Sequence, residues 1–401
     1  MEQREGSLLG GILMVSGCCI GAGMLGLPVL SSLSGFIPSS FVFVICWAFM
    51  LVTGLLLLEV NLYFKGDVSL ISMAGKTLGV FGKILTWLLF LFLFYSILIA
   101  YVSGTGTLFT EVMEWIDWEV APWVGSLIIT LFFGVMLYLG TVAVDYCNRI
   151  LMVGLIISYV ALVSLGVTHM QPYLLLHSNW AATLLVVPVM IISFGYHNMI
   201  PTLKTYLNGN VRKLFLIFFI GTLIPLLVYL IWDAVILGIV PLGGFQGALD
   251  QGEMATRALK ATVDSSAVQL LSEHLAFFAI VSSYVTVAIS FVDFLSDGLG
   301  VQKVGLRKLF LCFLTLFPPF LLAFIYPGLF LMALHYAGAF GAVILFGILP
   351  AIMVWRGRYY LKVEGTRIVP GGRFTLSLVI VFALFIILLT LANELDLLDI
   401  V

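Results

Sequence analysis

From residue 6 to residue 58 the chain carries no Asp, Glu, Lys, Arg or His side chain. Water cannot solvate a fold built on such a stretch, because charged residues supply about a quarter of an ordinary soluble domain. Over the whole chain they supply 9%, against 62% apolar residues. The chain is therefore constrained to fold in a bilayer, whose hydrocarbon core takes about 20 apolar residues per helical crossing. Its 401 residues divide into eleven such segments, at 7–33, 36–64, 84–110, 122–143, 150–168, 182–204, 213–240, 274–297, 306–326, 327–354 and 374–393. The first is longer than a signal-peptide core and runs directly into the second, so no cleavage is expected. The expected fold class is an all-α polytopic membrane protein, with residues 1–401 forming one transmembrane domain.

Basic residues mark the cytoplasmic side of membrane proteins. With the N-terminus in the cytoplasm, that side receives Arg4, Lys65, Lys76, Lys83, Arg149, Lys204, Arg212, Lys213, Lys303, Arg307, Lys308, Arg356, Arg358, Lys362, Arg367 and Arg373. These are 16 of the 18 basic residues, and only Arg257 and Lys260, in the loop 241–273, fall outside. The loop 109–121 holds Glu111, Glu114, Asp117 and Glu119 without a base, and the C-terminal residues are also acidic. The expected topology is N-terminus cytoplasmic, C-terminus extracytoplasmic, in a cytoplasmic (inner) membrane. A net charge of −2 without a basic patch gives no sign of nucleic acid. Cys18, Cys19, Cys46, Cys147 and Cys312 have neither C-x-x-C nor metal-ligand spacing and read as packing residues; no metal or cofactor is expected.

The segment GAGMLG, residues 21–26, spells the dinucleotide fingerprint G-x-G-x-x-G. That fingerprint works only after a strand, ahead of a soluble helix, and with an acid about 20 residues on. The uncharged stretch offers no acid, and what precedes Gly21 is a membrane-length apolar run. Gly17 and Gly21 form a G-x-x-x-G pair suited to helix packing, which accounts for Gly17. It does not account for Gly21, Gly23 and Gly26 ahead of Pro28. Proline clashes with the helical carbonyl four residues back and biases Leu27 away from α geometry. Span 1 is therefore expected to unwind near Gly21–Met24, which a membrane tolerates only where the backbone is buried in protein or lines a watery cavity.

Span 6 repeats the pattern: SFGYHNMIP, residues 193–201, sets Gly195, His197, Asn198 and Pro201 in an otherwise apolar helix. Spans 1 and 6 correspond if the core is two five-span repeats, 7–168 and 182–354, with 374–393 as an extra helix. Five being odd, the second repeat is inverted. Matched interruptions in two halves are the sequence mark of a secondary transporter's midplane site.

GAGMLGLP in span 1, LLLLEVNL closing span 2 and SFGYHNMIP in span 6 resemble the hydroxy/aromatic amino acid permeases, a branch of the amino acid–polyamine–organocation superfamily. The likeness is greatest to bacterial tyrosine and tryptophan permeases and covers essentially the whole chain. It implies a five-plus-five inverted-repeat fold and proton-driven uptake, by symport, of an aromatic amino acid, tyrosine first. The competing substrates are tryptophan, phenylalanine, and serine or threonine. Sodium-using relatives outside this family often place Asn just after the span 1 glycines; here that place is Met24, which weakens a sodium reading.

An amino acid is a zwitterion, and a helix break can meet both its ends. The half that starts at the break offers N–H groups to the carboxylate, and the half that ends there offers carbonyls to the ammonium. The carboxylate is assigned to the backbone of Ala22, Gly23 and Met24. The ammonium is assigned to the carbonyls of Cys19–Gly21 and of Phe194–Gly195, with Gly21 and Gly23 lacking side chains so that the ligand can approach. Phe194 and Tyr196 are candidates to stack on an aromatic substrate, or else ordinary core aromatics. Tyr95 is a candidate hydroxyl. Ser282, Ser283 and Thr286 in span 8 would face span 1 in this family's fold, as substrate or cation contacts or as packing residues.

Titratable groups within spans are functional candidates: Glu59, His197, Asp233, Asp293 and His335. Glu59, Asp233 and Asp293 lie toward span ends, where snorkelling or capping is the simpler role. His197 lies in the break and titrates near neutrality, so it is the first candidate for proton coupling or substrate contact. Glu59, Asp293 and His335 follow. A passive channel for a small polar solute would share the topology. An intramembrane enzyme finds no support in H-E-x-x-H, G-x-S-x-G or paired aspartates.

Overall fold

The computed structural model describes residues 6–64, 66, 68–114, 117–118, 120–326, 328–363, 367–395 and 397. Arg4, Lys65, Glu119, the side chain of Glu114 and the acidic final residues, all used above in sorting charge, lie outside that set. Among the described residues the chain is helical and without strands. Among the described residues ten helices are long and apolar enough to cross a membrane, and one bent pair taken as one span makes an eleventh. Span 1 is the pair Leu8–Cys19 and Gly23–Ser34 (halves 1a and 1b), bent by 56°. The others are Phe36–Leu62, Leu70–Met113, Pro122–Leu139, Tyr146–His169, Thr183–Tyr206, Val211–Ile239, Ser266–Leu299, Gly305–Ile325, Phe330–Tyr359 and Gly372–Glu394, numbered 2 to 11. The face carrying the N-terminal residues is called the near face, and the opposite one the far face.

Several boundaries depart from expectation for local reasons. The helical run of span 3 starts at Leu70, but Gly79 at φ 82° and ψ −166° breaks it, so 70–78 form a separate near-face helix ahead of the crossing. Between spans 4 and 5 the turn is one residue, Gly140 at φ 108°, and the polar residues 145–149 continue as helix. The loop 241–273 is largely helical: Gln246–Asp250, then Ala255–Thr262, with span 8 starting at Ser266. Pro28 does not break span 1 either. It sits inside the helix Gly23–Ser34, and the non-helical residues are Ile20–Ala22, so Met24 is helical.

A proline within a helix frees the carbonyl four residues back, and in a membrane that group needs another donor. Pro28 frees Met24 O, which accepts from Trp232 Nε1 at 3.0 Å. Pro225 in span 7 frees Gly221 O, which accepts from Ser16 Oγ at 2.9 Å. Spans 1 and 7 are thus tied reciprocally. Pro318 in span 9 frees Leu314 O, and its donor is the Tyr95 hydroxyl at 2.9 Å. Trp232→Phe keeps the ring and removes the N–H, leaving a buried acceptor without a donor. The expected loss is about 1–3 kcal/mol of stability, read as a lower thermal midpoint in detergent; an unchanged midpoint would show that Met24 O finds another donor.

Span 6 consists of Thr183–Ser193 (6a), a 3₁₀ turn His197–Met199 and Ile200–Tyr206 (6b), with Phe194–Tyr196 at the break. Span 10 carries π-helical turns over Ala337–Ile348, and a Cβ on its Gly338 would lie 1.9 Å from Pro188 O of 6a. Span 1b packs on 6a, 1a on span 7, and 6a and 6b on span 2. Span 5 packs on 8 and span 10 on 3; span 3 packs on 4 and span 8 on 9; span 4 packs on 8 and span 9 on 3.

Candidate functional site

The two breaks, each midway along its span, meet in the structure. Helix 1a ends at Cys19 and 6a at Ser193, and Tyr229 of span 7 places its hydroxyl between their last carbonyls, 2.6 Å from Cys19 O and 2.9 Å from Ser193 O. Beside this junction lies a cavity of about 110 Å³. Cys18, Cys19, Gly21, Ala22 and Gly23 with Ser193, Gly195 and Asn198 form one wall, Ser283 and Val287 of span 8 another, and Phe90, Phe94, Tyr101 and Phe346 an aromatic one. Among the described residues no charged side chain lines it. Any charge in a ligand would therefore be met by backbone dipoles, hydroxyls, a thiol and an amide.

At the start of 1b, Ala22 N donates to Ser283 Oγ at 3.1 Å and Met24 N to Gly21 O at 3.1 Å. The amides of Gly21 and Gly23 have no acceptor among the described residues and are the donors left for an anion. Of the assigned carbonyls, Cys19 O accepts from Tyr229, Phe194 O from Tyr196 N at 3.1 Å, and Gly195 O weakly from Cys18 Sγ at 3.5 Å. Cys18 also lies 3.8 Å from Asn198 Oδ1, linking the two breaks.

The glycines divide differently from expectation. A Cβ on Gly21 would fall 2.3 Å from Ser283 Oγ, so bareness there serves the contact with span 8 at the cavity. On Gly23 it would fall 2.7 Å from Ser193 Oγ and 3.7 Å from Ser193 Cα, so Gly23 is where 1b and 6a approach closely. Gly17, read from its G-x-x-x-G spacing as a packing glycine, has only Met152 Cε at 3.7 Å and no close helix partner.

Of the other candidates, Gly21, Ala22, Gly23 and Gly195 reach the cavity wall, whereas Met24, Phe194 and Tyr196 are buried and do not line it. Tyr95 is pinned to span 9 and edge-on to Phe291. Ser282 and Thr286 turn their hydroxyls to their own helix, at Ala279 O and Ser282 O; Ser283, between them, faces the break. His197 is one layer behind the wall. Its Nε2 is 3.0 Å from Thr53 Oγ1, and its ring stacks at 4.7 Å and 12° on Phe346. Glu59 is neither snorkelling nor capping. It accepts both arms of Arg358 at 2.6 Å, Ile368 N at 2.9 Å and the Tyr63 hydroxyl at 3.1 Å. Asp293 pairs with Lys303 at 2.7 Å, both about half exposed at the near face. His335 lines a far-face cavity of about 1260 Å³. Sequence reasoning missed Cys18, Tyr101, Tyr229 and Phe346 at the site, because nothing in an all-apolar helix marks which face looks inward.

The midplane cavity shares Phe90 and Asn198 with a near-face cavity of about 720 Å³, and no lining residue with the far-face one. Cys18 and Asn198 are exposed. A polytopic bundle whose two interrupted helices wall a small cavity midway along them is an arrangement in which membrane transporters hold their substrates. The chain matches the tryptophan/tyrosine permease family over residues 4–390 and belongs to that family; it is a transport permease, not an enzyme. It is 28% identical to a tryptophan-specific transport protein of Shigella flexneri, covering 95% of this chain and 94% of that one. It is 29% identical to tyrosine-specific transport system 1 of Haemophilus influenzae, covering 94% and 95%. With the low affinity tryptophan permease of Escherichia coli the figures are 26%, 98% and 97%.

Proposed function

We propose that this permease imports an aromatic amino acid, tyrosine first, with protons by alternating access. The observation carrying the reading is the meeting of both helix breaks at one neutral cavity with an aromatic wall. The amides of Gly21 and Gly23 suit a carboxylate, the carbonyls at the ends of 1a and 6a suit an ammonium, and Phe90, Phe94, Tyr101 and Phe346 suit a ring. Relatives of tyrosine and of tryptophan specificity stand at similar identity, which is why uptake itself must decide. Proton drive rests on the family resemblance. At about 110 Å³ the cavity is below the roughly 300 Å³ at which ligand pockets begin, so admitting an aromatic amino acid requires Phe90, Phe94 or Phe346 to swing aside. The connection to the near-face cavity supports an inward-facing state, with the near face cytoplasmic by the sorting of basic residues.

The span pairings support the inverted repeat. Shifting each span by five turns 1·7 into 6·2, 5·8 into 10·3, 3·4 into 8·9 and 4·8 into 9·3, and every one of these pairs is in contact. The test is uptake of labelled tyrosine into proteoliposomes, competed by all twenty amino acids, with the pH gradient intact or collapsed at constant sodium. Accumulation abolished by the uncoupler and competed by aromatic residues is expected. Equilibration without accumulation would make the protein a passive facilitator, and competition by serine or threonine alone would remove the aromatic claim. A cytoplasm-dependent reporter fused to the C-terminus should stay silent; a bright one would overturn the topology.

A further inference from the structure

Asp233 lies in span 7, two turns from its far end, with its side chain at 0% exposure. One carboxyl oxygen accepts from Ser39 Oγ at 3.2 Å, while Asp233 Oδ1 and the neighbouring Ser31 Oγ, both fully buried, have no hydrogen-bond partner among the described residues. Among the described residues no ion pair reaches the carboxyl, and the polar groups beside it are the hydroxyls of Ser31 and Ser39. Among the described side chains, the charged groups and histidines on the elements packed against span 7 are engaged elsewhere. Glu59 is held by Arg358, His169 by Leu165 O, Arg257 by Glu253, and Lys260 by Glu111 and Glu273. His177, beside the 172–176 turn, contacts Leu33 O, and Arg149 of span 5 has its own partner.

An ionised carboxylate sealed from water without a cation is too costly to persist, and such a group takes a proton instead. The enclosure has a movable wall. Ser31 belongs to 1b, the half-helix after the break, whose Leu30 and Leu33 line the far-face cavity while Ser31 is buried behind them. Drawing 1b away from span 7 would admit water from that cavity to the carboxyl.

We propose that Asp233, enclosed by Ser31 and Ser39, is the binding site of the coupling proton, and that its protonation is what permits span 1b to close over span 7. This rests on the proton-driven reading given above. Ionised Asp233 favours the far-side-open arrangement, where water reaches it. A proton taken from the far side onto Oδ1 makes the closed arrangement accessible, so protonation shifts the population by its differential affinity for the two states. The proton leaves toward the near side by way of the midplane cavity. One turn along span 7 in that direction is Tyr229, whose hydroxyl touches Cys19 O at the cavity wall.

The test uses purified full-length protein. Difference infrared spectra at neutral pH should show the stretch of a protonated carboxyl that is lost in Asp233→Asn and shifted in Ser39→Ala, which removes its hydrogen bond. In proteoliposomes Asp233→Asn, a permanent mimic of the neutral form, should still exchange labelled tyrosine but lose its pH-gradient-driven accumulation by at least about tenfold. An infrared band unchanged by Asp233→Asn, or proton-driven accumulation retained in that variant, would overturn the inference. Should Asp233→Asn not fold, the Ser39→Ala shift decides: a band that does not move places the proton elsewhere. If wild-type accumulation survives the uncoupler while the Asp233 band is present, the proton-driven reading falls and Asp233 stands as a proton-binding residue alone.

Discussion

Arg358→Met will destabilise the protein by about 3–5 kcal/mol, the range for stripping one partner from a buried ion pair. The guanidinium and the Glu59 carboxylate are 3% and 1% exposed, joined through two contacts of 2.6 Å. The pair also organises the chain after span 10, because Glu59 accepts from Ile368 N and Arg358 donates to Val369 O at 2.9 Å. Removing the cation leaves a buried carboxylate with only an amide and a phenol. The double change Glu59→Gln with Arg358→Met removes both charges and should recover most of the loss, since what costs is the unpaired ion rather than the absent pair. Thermal midpoints of the single and double variants decide this. A double variant less stable than Arg358→Met would show that the attraction itself, not avoidance of a lone charge, holds span 2 to span 10.

The second large effect separates the glycines of span 1. Gly23→Val is expected to lower stability by about 1–3 kcal/mol, the usual cost of forcing extra carbons into a close helix contact, because Ser193 of 6a occupies the space. Gly21→Val is expected to act on the site: it displaces Ser283 from the Ala22 amide and should weaken substrate affinity at least about tenfold, roughly 1.4 kcal/mol. A Cβ on Gly17 meets nothing closer than Met152 Cε at 3.7 Å, so Gly17→Val should be nearly silent in both measurements. Equal destabilisation by the Gly17 and Gly23 changes would restore the packing role that the G-x-x-x-G spacing suggests for Gly17.

Crossings and interruptions were legible because they depend on local chemistry. Twenty apolar residues make a span whatever surrounds them, and the glycine run of span 1 and SFGYHNMIP announce breaks without reference to partners. Facing was not legible. Ser282, Ser283 and Thr286 are indistinguishable as residue types, yet a rotation of about 100° per residue gives the break to Ser283 and turns the others to their own carbonyls. Partnership was not legible either. Glu59 near the end of span 2 has the pattern of a snorkelling acid until Arg358, 299 residues later, is seen beside it. Tyr95 has the pattern of a site hydroxyl until Pro318 is seen to have freed Leu314 O. In each case the deciding contact is long-range, and an amphipathic pattern that would have hinted at it is erased where every face of the helix is apolar.

The proline-freed carbonyls impose an order on biogenesis. For spans 7 and 9 the donors, Ser16 and Tyr95, are already in the membrane when Gly221 and Leu314 arrive. For span 1 the order is reversed: Met24 enters first and its donor, Trp232, lies 208 residues later. At translation rates of about 5–20 residues per second, Met24 O waits roughly 10–40 s for its partner. During that interval the first crossing is the least finished piece of the protein, and chaperones or membrane proteases that survey nascent chains would meet it with one backbone acceptor unanswered.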